Sequence, residues 1–354
     1  MKGNFVRVAG LLLAIILVLS ACGGGTSAGT GNNSTAESKG SSTPAADGKV
    51  YQMRIGNVTA PDHILNLTFE AMAERINERS GGRIQATVYP SGQLGTLRTM
   101  TEGLQTGTLE MTTQSPGGLG SFLPIMGVLE MPYMYSSHQH VYGVVDGEIG
   151  AELNQKFLEA TGIRIVGYWM NLYRHTTNNV RPIHTPEDFK GLNIRVPETK
   201  TVMDTISNLG ANAVPMAVGE LYTGLSQGSV DGQENPTSII YASKYYEVQK
   251  YLSLTGHIYS PTVVMIADKF YQSLPEDLRQ IVDEEVANAT ASGREASEKM
   301  DADLIEELGG KMEVNEIADM APFRAAVQPV YDDMVKALGE EARSYFDRIE
   351  AAKP

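Results

Sequence analysis

Thr185-Pro186-Glu187-Asp188-Phe189-Lys190-Gly191-Leu192-Asn193-Ile194-Arg195-Val196-Pro197 is the stretch from which the fold is read. Thr185 can cap a helix, Pro186 suits its first turn, and Glu187 and Asp188 complement the helix dipole. Gly191 ends that helix, as glycine does where the chain turns left-handed. The next residues alternate: Leu192, Ile194 and Val196 share one face of a strand, and Asn193 and Arg195 share the other. The same grammar then repeats, with a helix over 201–209, a strand over 213–216 and a helix over 219–227. Val230-Asp231-Gly232-Gln233-Glu234-Asn235-Pro236 leaves the unit.

The pattern extends in both directions. Towards the N-terminus, 51–58 reads as a strand and 64–78 as a helix closed by Gly81-Gly82. Residues 84–89 form a strand closed by Pro90-Ser91-Gly92, 97–106 a helix with Gly107 near its end, and 109–113 a strand. A further strand starts at 163–167. This β-α-β-α-β order predicts an α/β architecture with right-handed crossovers. Towards the C-terminus, 275–308 keeps a helical, charge-rich pattern interrupted only by Gly293. A helix of that length in an α/β protein can span two lobes.

The first residues are of a different kind. Met1 to Arg7 is short and basic, Leu11 to Leu19 is an unbroken apolar run, and Leu19-Ser20-Ala21-Cys22 follows. A basic start, a short apolar core and a small-residue exit make a secretory signal. The run is shorter than the roughly 20 residues of a membrane span. Leu19 to Cys22 matches the bacterial lipobox, in which the chain is cut before the cysteine and the thiol takes a lipid; an ordinary signal peptide, or an uncleaved anchor, with a chance cysteine is the alternative. Cys22 is the only cysteine of the chain, so disulfides, multi-cysteine metal sites and a cysteine nucleophile elsewhere are excluded. Residues 23–49 have almost no large apolar side chain and read as a flexible tether. The expected division is a signal over 1–21 and the lipidated Cys22 with its linker over 22–49. The 305 residues that follow suffice for two lobes with cores of their own. Net charge is −14, and −16 once Lys2 and Arg7 leave with the signal. That acidic balance argues against nucleic acid as a partner.

Several motifs carry chemistry on paper. Gly224-Leu225-Ser226-Gln227-Gly228 matches a nucleophile elbow, which needs a sharp strand-to-helix turn. Here Leu221 and Leu225 keep a helical stripe, so an esterase built on Ser226 is a remote alternative. His138-Gln139-His140 lacks the further ligands a zinc site needs and reads as two surface histidines beside a helix start. His175 has no recognisable nucleophile beside it, which favours binding or packing over general-base work. Gly117-Gly118-Leu119-Gly120 lacks dinucleotide spacing. No cofactor and no metal are implied. Arg195, mid-strand, and Arg174, just after a strand, are more informative, because a guanidinium recognises a carboxylate in two-point fashion; a structural salt bridge is the plainer alternative for either. The residues by themselves indicate a lipoprotein with two α/β lobes that binds rather than catalyses.

Four blocks resemble the TRAP transporter substrate-binding proteins, the DctP-type extracytoplasmic solute receptors. They are Tyr89-Pro90-Ser91-Gly92-Gln93-Leu94-Gly95, the stretch from Thr185 to Pro197, Gly210 to Met216 followed by Gly219-Glu220-Leu221-Tyr222, and Val230 to Pro236. The resemblance implies a two-lobe flytrap fold with a long helix under both lobes: 50–171 plus 261–300 for lobe I, 172–260 plus 301–354 for lobe II. It implies an exported receptor, lipid-anchored at the outer face of the cytoplasmic membrane or in the periplasm. Such a receptor delivers a small organic acid to small and large membrane permease subunits and does no chemistry on it. Arg195 matches the family arginine that holds the ligand carboxylate, Asn235 the asparagine that assists it, and Arg174 a second arginine. Thr96, Ser115 and Val218 stand where the sialic-acid branch has acidic and aromatic residues. Glu198 would accept ligand hydroxyls and repel a second carboxylate, which favours a uronate or aldonate over a C4-dicarboxylate. His63, Ser115, Trp169 and Asn171 are the further expected wall residues.

Overall fold

The computed structural model describes residues 48–169 and 172–354. The signal, Cys22 and the tether up to Asp47 lie outside the described residues, as do Met170 and Asn171. Among the described residues no helix is long and apolar enough to cross a membrane.

Among the described residues eleven strands build two sheets. In chain order they are β1 (Tyr51–Gly56), β2 (Ile84–Tyr89), β3 (Met111–Gln114), β4 (Ile163–Trp169), β5 (Tyr173–Asn178), β6 (Asn193–Val196), β7 (Asn212–Pro215), β8 (Gly232–Pro236), β9 (Tyr251–Tyr259), β10 (Thr262–Ala267) and β11 (Glu313–Glu316). The first sheet runs β2-β1-β3-β10-β4 and the second β11-β9-β5-β8-β6-β7. Parallel pairs β1 with β2 and β3, and β6 with β7 and β8, come from the helical crossovers expected from the sequence. β10 is antiparallel to β3 and β4, and β5 is antiparallel to β8 and β9. The chain crosses between sheets at β4 to β5, at β9 to β10, where only Ser260 and Pro261 intervene, and once more in the helical segment between β10 and β11.

The helices follow their caps. Thr96 caps Leu97–Thr106 through the Thr99 N–H, and Gly107 ends it at φ 74°. Pro186–Phe189 is a single 3-10 turn rather than an α-helix; the Thr185/Asp188 capping box is present, and Gly191 at φ 79° swings the chain into β6. The helix Ile64–Arg79 buries Phe69, Met72 and Ile76 in a core shared with Val282, Val286 and Ala289. Those three belong to the long helix Glu276–Gly309. Gly293 does not break that helix: it is buried, and a Cβ there would lie 3.5 Å from Thr68, so the glycine marks a close helix crossing. Further along, Tyr142 donates to Glu298 and Thr237 to Asp301, so the same helix is held by elements preceding the first sheet crossing and by the second-sheet side.

One expectation is corrected. His140 is not at the surface: it is buried at 1% exposure, and its Nε2 donates to the Ile349 carbonyl at 2.7 Å. The C-terminal segment, expected with lobe II, also ties to lobe I: the helix Glu340–Ala351 meets the helix Glu148–Thr161 through Arg348–Glu152 and Lys156–Glu341.

Candidate ligand-binding cleft

A cavity of about 450 Å³ opens where β1, β3, β6, β7 and β8 end, and side chains from both sheets line it. Ligand sites in open α/β sheets lie outside the carboxyl ends of the strands. His63, Ser115, Glu130 and Ser260 come from the first-sheet side. Arg174, Arg195, Glu198, Met216 and Asn235 come from the second.

Arg195 sits on β6 between Val214 of β7 and Gln233 of β8 in register. Central position in the sheet buries it to 2% exposure. Its Nε and Nη2 both donate to the Met216 carbonyl, at 2.9 and 2.6 Å. Among the described residues no carboxylate lies within ion-pair distance of it. Burial lowers its pKa to about 10, only partly offset by Glu234 further off. A guanidinium left dry and without a counter-ion is costly, and an anion entering the cleft relieves that cost.

Arg174, on β5, is buried but already paired. Its Nε and Nη2 meet the Glu234 carboxylate at 2.5 and 2.8 Å, and Nη2 also reaches the Asn235 Oδ1 at 3.0 Å. Burial alone would push the Glu234 carboxyl up; the Arg174 charge and the His257 hydrogen bond override it and hold the pKa at about 2. Asn235 is 3% exposed and also donates to Gln233 Oε1, so its orientation is fixed from both ends.

Glu130 is a buried acid of the wall, at 1% exposure. Ser115 Oγ and the Gly117 N–H converge on its Oε2 at 3.0 and 2.6 Å, and Ser260 Oγ donates to Oε1. Burial pushes its pKa up, against those three donors and the Arg174 charge.

The structure brings most of the expected residues together. Arg195, Arg174, Asn235, Glu198, His63 and Ser115 all line the cleft, as do Thr96 and Val218. Ser115 is nevertheless committed: its hydroxyl donates to Glu130 and accepts the Gly118 N–H as a helix cap. Glu198 is exposed at the rim. Trp169 is corrected: it faces the core, its ring 4.4 Å from Phe69 and its N–H on Thr290 at 2.9 Å, because β4 alternation turns it away from the cleft. Asn171 lies outside the described residues. His175 packs rather than reacts: buried, its Nδ1 accepts the Gly256 N–H at 3.1 Å. Ser226 ends the helix Val218–Ser226 and donates to Thr223 O, so no nucleophile elbow forms there. Glu130, Ser260, Glu234 and His257 escaped the sequence reading. A lone acid in the apolar run Pro124 to Met131 was the available signal for the first.

Comparison with known proteins agrees with this geometry. Residues 55–338 match the model of bacterial extracellular solute-binding protein, family 7. A TRAP periplasmic solute-binding protein from Polaromonas sp. JS666, bound to D-erythronate, is 34% identical with a TM-score of 0.81, over 86% of this chain and 99% of that one. Another from Sulfitobacter sp. NAS-14.1, with bound β-D-galacturonate, is 32% identical with a TM-score of 0.81, over 85% and 99%. The 2,3-diketo-L-gulonate-binding periplasmic protein of Escherichia coli strain K12 is 31% identical over 68% of this chain and 72% of its own length. With the family model spanning most of the folded chain, and a two-sheet cleft built around a buried arginine, the protein belongs to family 7 of the bacterial extracellular solute-binding proteins, the substrate-binding components of TRAP transporters.

Proposed function

We propose that this chain captures a hydroxylated monocarboxylic acid, of the uronate or aldonate kind, and delivers it unchanged to TRAP membrane subunits. The observation that carries the reading is Arg195, a guanidinium at 2% exposure with no carboxylate partner among the described residues. A ligand carboxylate supplies that partner through charge-assisted hydrogen bonds. Arg174, already neutralised by Glu234, orients Asn235 beside it rather than calling for a second carboxylate. Glu198 at the rim repels a second negative charge and accepts hydroxyls, which disfavours a C4-dicarboxylate. D-Erythronate, β-D-galacturonate and 2,3-diketo-L-gulonate, the ligands of the three relatives, are all hydroxylated or oxidised monoacids.

The deciding experiment is a thermal-shift screen of organic acids. One sugar acid raises the melting temperature, as binding to the folded state alone requires, succinate does not, and Arg195→Ala abolishes the shift. A library that shifts nothing, or an Ala variant that binds as the wild type does, refutes the reading. We assign Cys22 the lipid that keeps the receptor at the membrane surface; Cys22→Ser then moves the protein from the membrane fraction to the soluble one.

A further inference from the structure

We infer that the Nε2–H of His63 is a fixed hydrogen-bond donor to a second acceptor oxygen of the captured acid, supplied from the first-sheet side of the cleft. The inference rests on the carboxylate reading of Arg195 and adds to it the other end of the ligand.

His63 links β1 to the helix Ile64–Arg79 and caps it: its Nδ1 accepts the Leu65 N–H at 3.1 Å. A ring nitrogen that accepts carries no proton, so the proton of the neutral imidazole is on Nε2. Burial lowers the ring's pKa to about 4, against the opposing charge of Asp62, so the neutral form persists at ordinary pH. Nε2 is therefore a donor whose identity the helix end dictates.

That donor has no partner. Among the described residues three buried side-chain polar atoms lack one: His63 Nε2, Tyr133 Oη and Thr201 Oγ1. Of the three residues, only His63 lines the cleft. Buried polar groups in native proteins are almost always satisfied, and an orphan calls for an explanation. The choice of residue is a second pointer. The side-chain caps of the helices that start at Leu97, Pro116 and His138 are Thr96, Ser115 and Ser137. A hydroxyl caps a helix well and places nothing further away; an imidazole caps it and carries a second polar atom off the backbone. With Nδ1 held by the helix, Nε2 is the one remaining polar atom of a ring that lines the cavity.

A donor of this kind recognises an acceptor. Hydroxyl, ring and carbonyl oxygens of a sugar acid accept; the ammonium of an amino acid brings only donors and leaves Nε2 orphaned. His63 thus adds a preference for hydroxy and keto acids over amino acids of the same length.

The test compares wild type with His63→Asn and His63→Ser, both of which retain a good cap and lose the reach of Nε2. Each is titrated with the tightest sugar acid of the screen and with its singly deoxygenated analogues. The expected result is about ten- to a hundred-fold weaker binding of the parent acid by both variants, with unliganded melting unchanged. One deoxy analogue should bind wild type correspondingly weakly, yet lose little more in the variants, as a coupled pair requires. Variants that bind the acid and its analogues as wild type does overturn the inference while leaving Arg195 in place. Lower unliganded melting with unchanged affinity assigns the ring to packing and overturns it too. A wild type that no acid shifts removes the carboxylate reading and this inference together.

Discussion

Arg174 and Glu234 form a two-point ion pair inside the second sheet, at 2.5 and 2.8 Å, with side-chain exposures of 7% and 0%. The pair takes one of the two cleft arginines out of competition for an anion. Arg195, its neighbour on β6, is the one left to bind.

Breaking that pair is therefore a fold mutation before it is a binding mutation. Glu234→Gln leaves Arg174 buried without compensation and removes the His257 partner as well. Unfolding in denaturant should show a loss of about 3–5 kcal/mol.

Acid should act on the same bond. Glu234 has a folded pKa of about 2 against an ordinary 4.5. A depressed carboxylate contributes stability that is complete above the unfolded pKa and is lost as pH falls through the folded one. About 3 kcal/mol should disappear between roughly pH 4.5 and 2, and the Glu234→Gln variant should lack that step in its stability-against-pH curve.

Arg195→Met should separate stability from function. Its burial lowers its pKa to about 10, so keeping it charged costs the unliganded fold about 3 kcal/mol at any pH below that value. A methionine of similar length removes the buried charge. Calorimetry should find the unliganded variant as stable as wild type or more so, and titration should find no acid binding.

Glu130→Gln should change what is refused. With the wall acid replaced by an amide that never ionises, the affinity for a C4-dicarboxylate relative to a sugar monoacid should rise by about ten-fold, the order expected when one like-charge contact is removed. Competition titration reads the ratio directly, and an unchanged ratio would assign Glu130 to holding Ser115, Gly117 and Ser260 alone.

Much of the fold was legible because its parallel units are punctuated. Gly107, Thr185 and Gly191 mark helix ends by cap chemistry or by left-handed backbone, which local sequence reveals. β8 was not legible as a strand. Its residues are Gly, Gln, Glu, Asn and Pro, a poor strand composition, yet all five are buried. They are tolerated because Gln233 meets Thr177 and Glu234 meets Arg174, partners 56 and 60 residues away. His140 misled for the same reason, since the carbonyl that satisfies it lies 209 residues on. Of the cleft, Arg195 could be placed from strand alternation, whereas Glu130 is defined by donors from β3's end and from the β9–β10 link. Sequence periodicity carries no information about such meetings.

Ser260 occupies one of the two residues between β9 and β10, and its hydroxyl rests on Glu130 in the cleft wall. Any change in angle between the sheets has to be absorbed at such crossings. The crossing and the cleft wall thus share one hydrogen bond, and whatever touches Glu130 touches the β9–β10 link through a single contact.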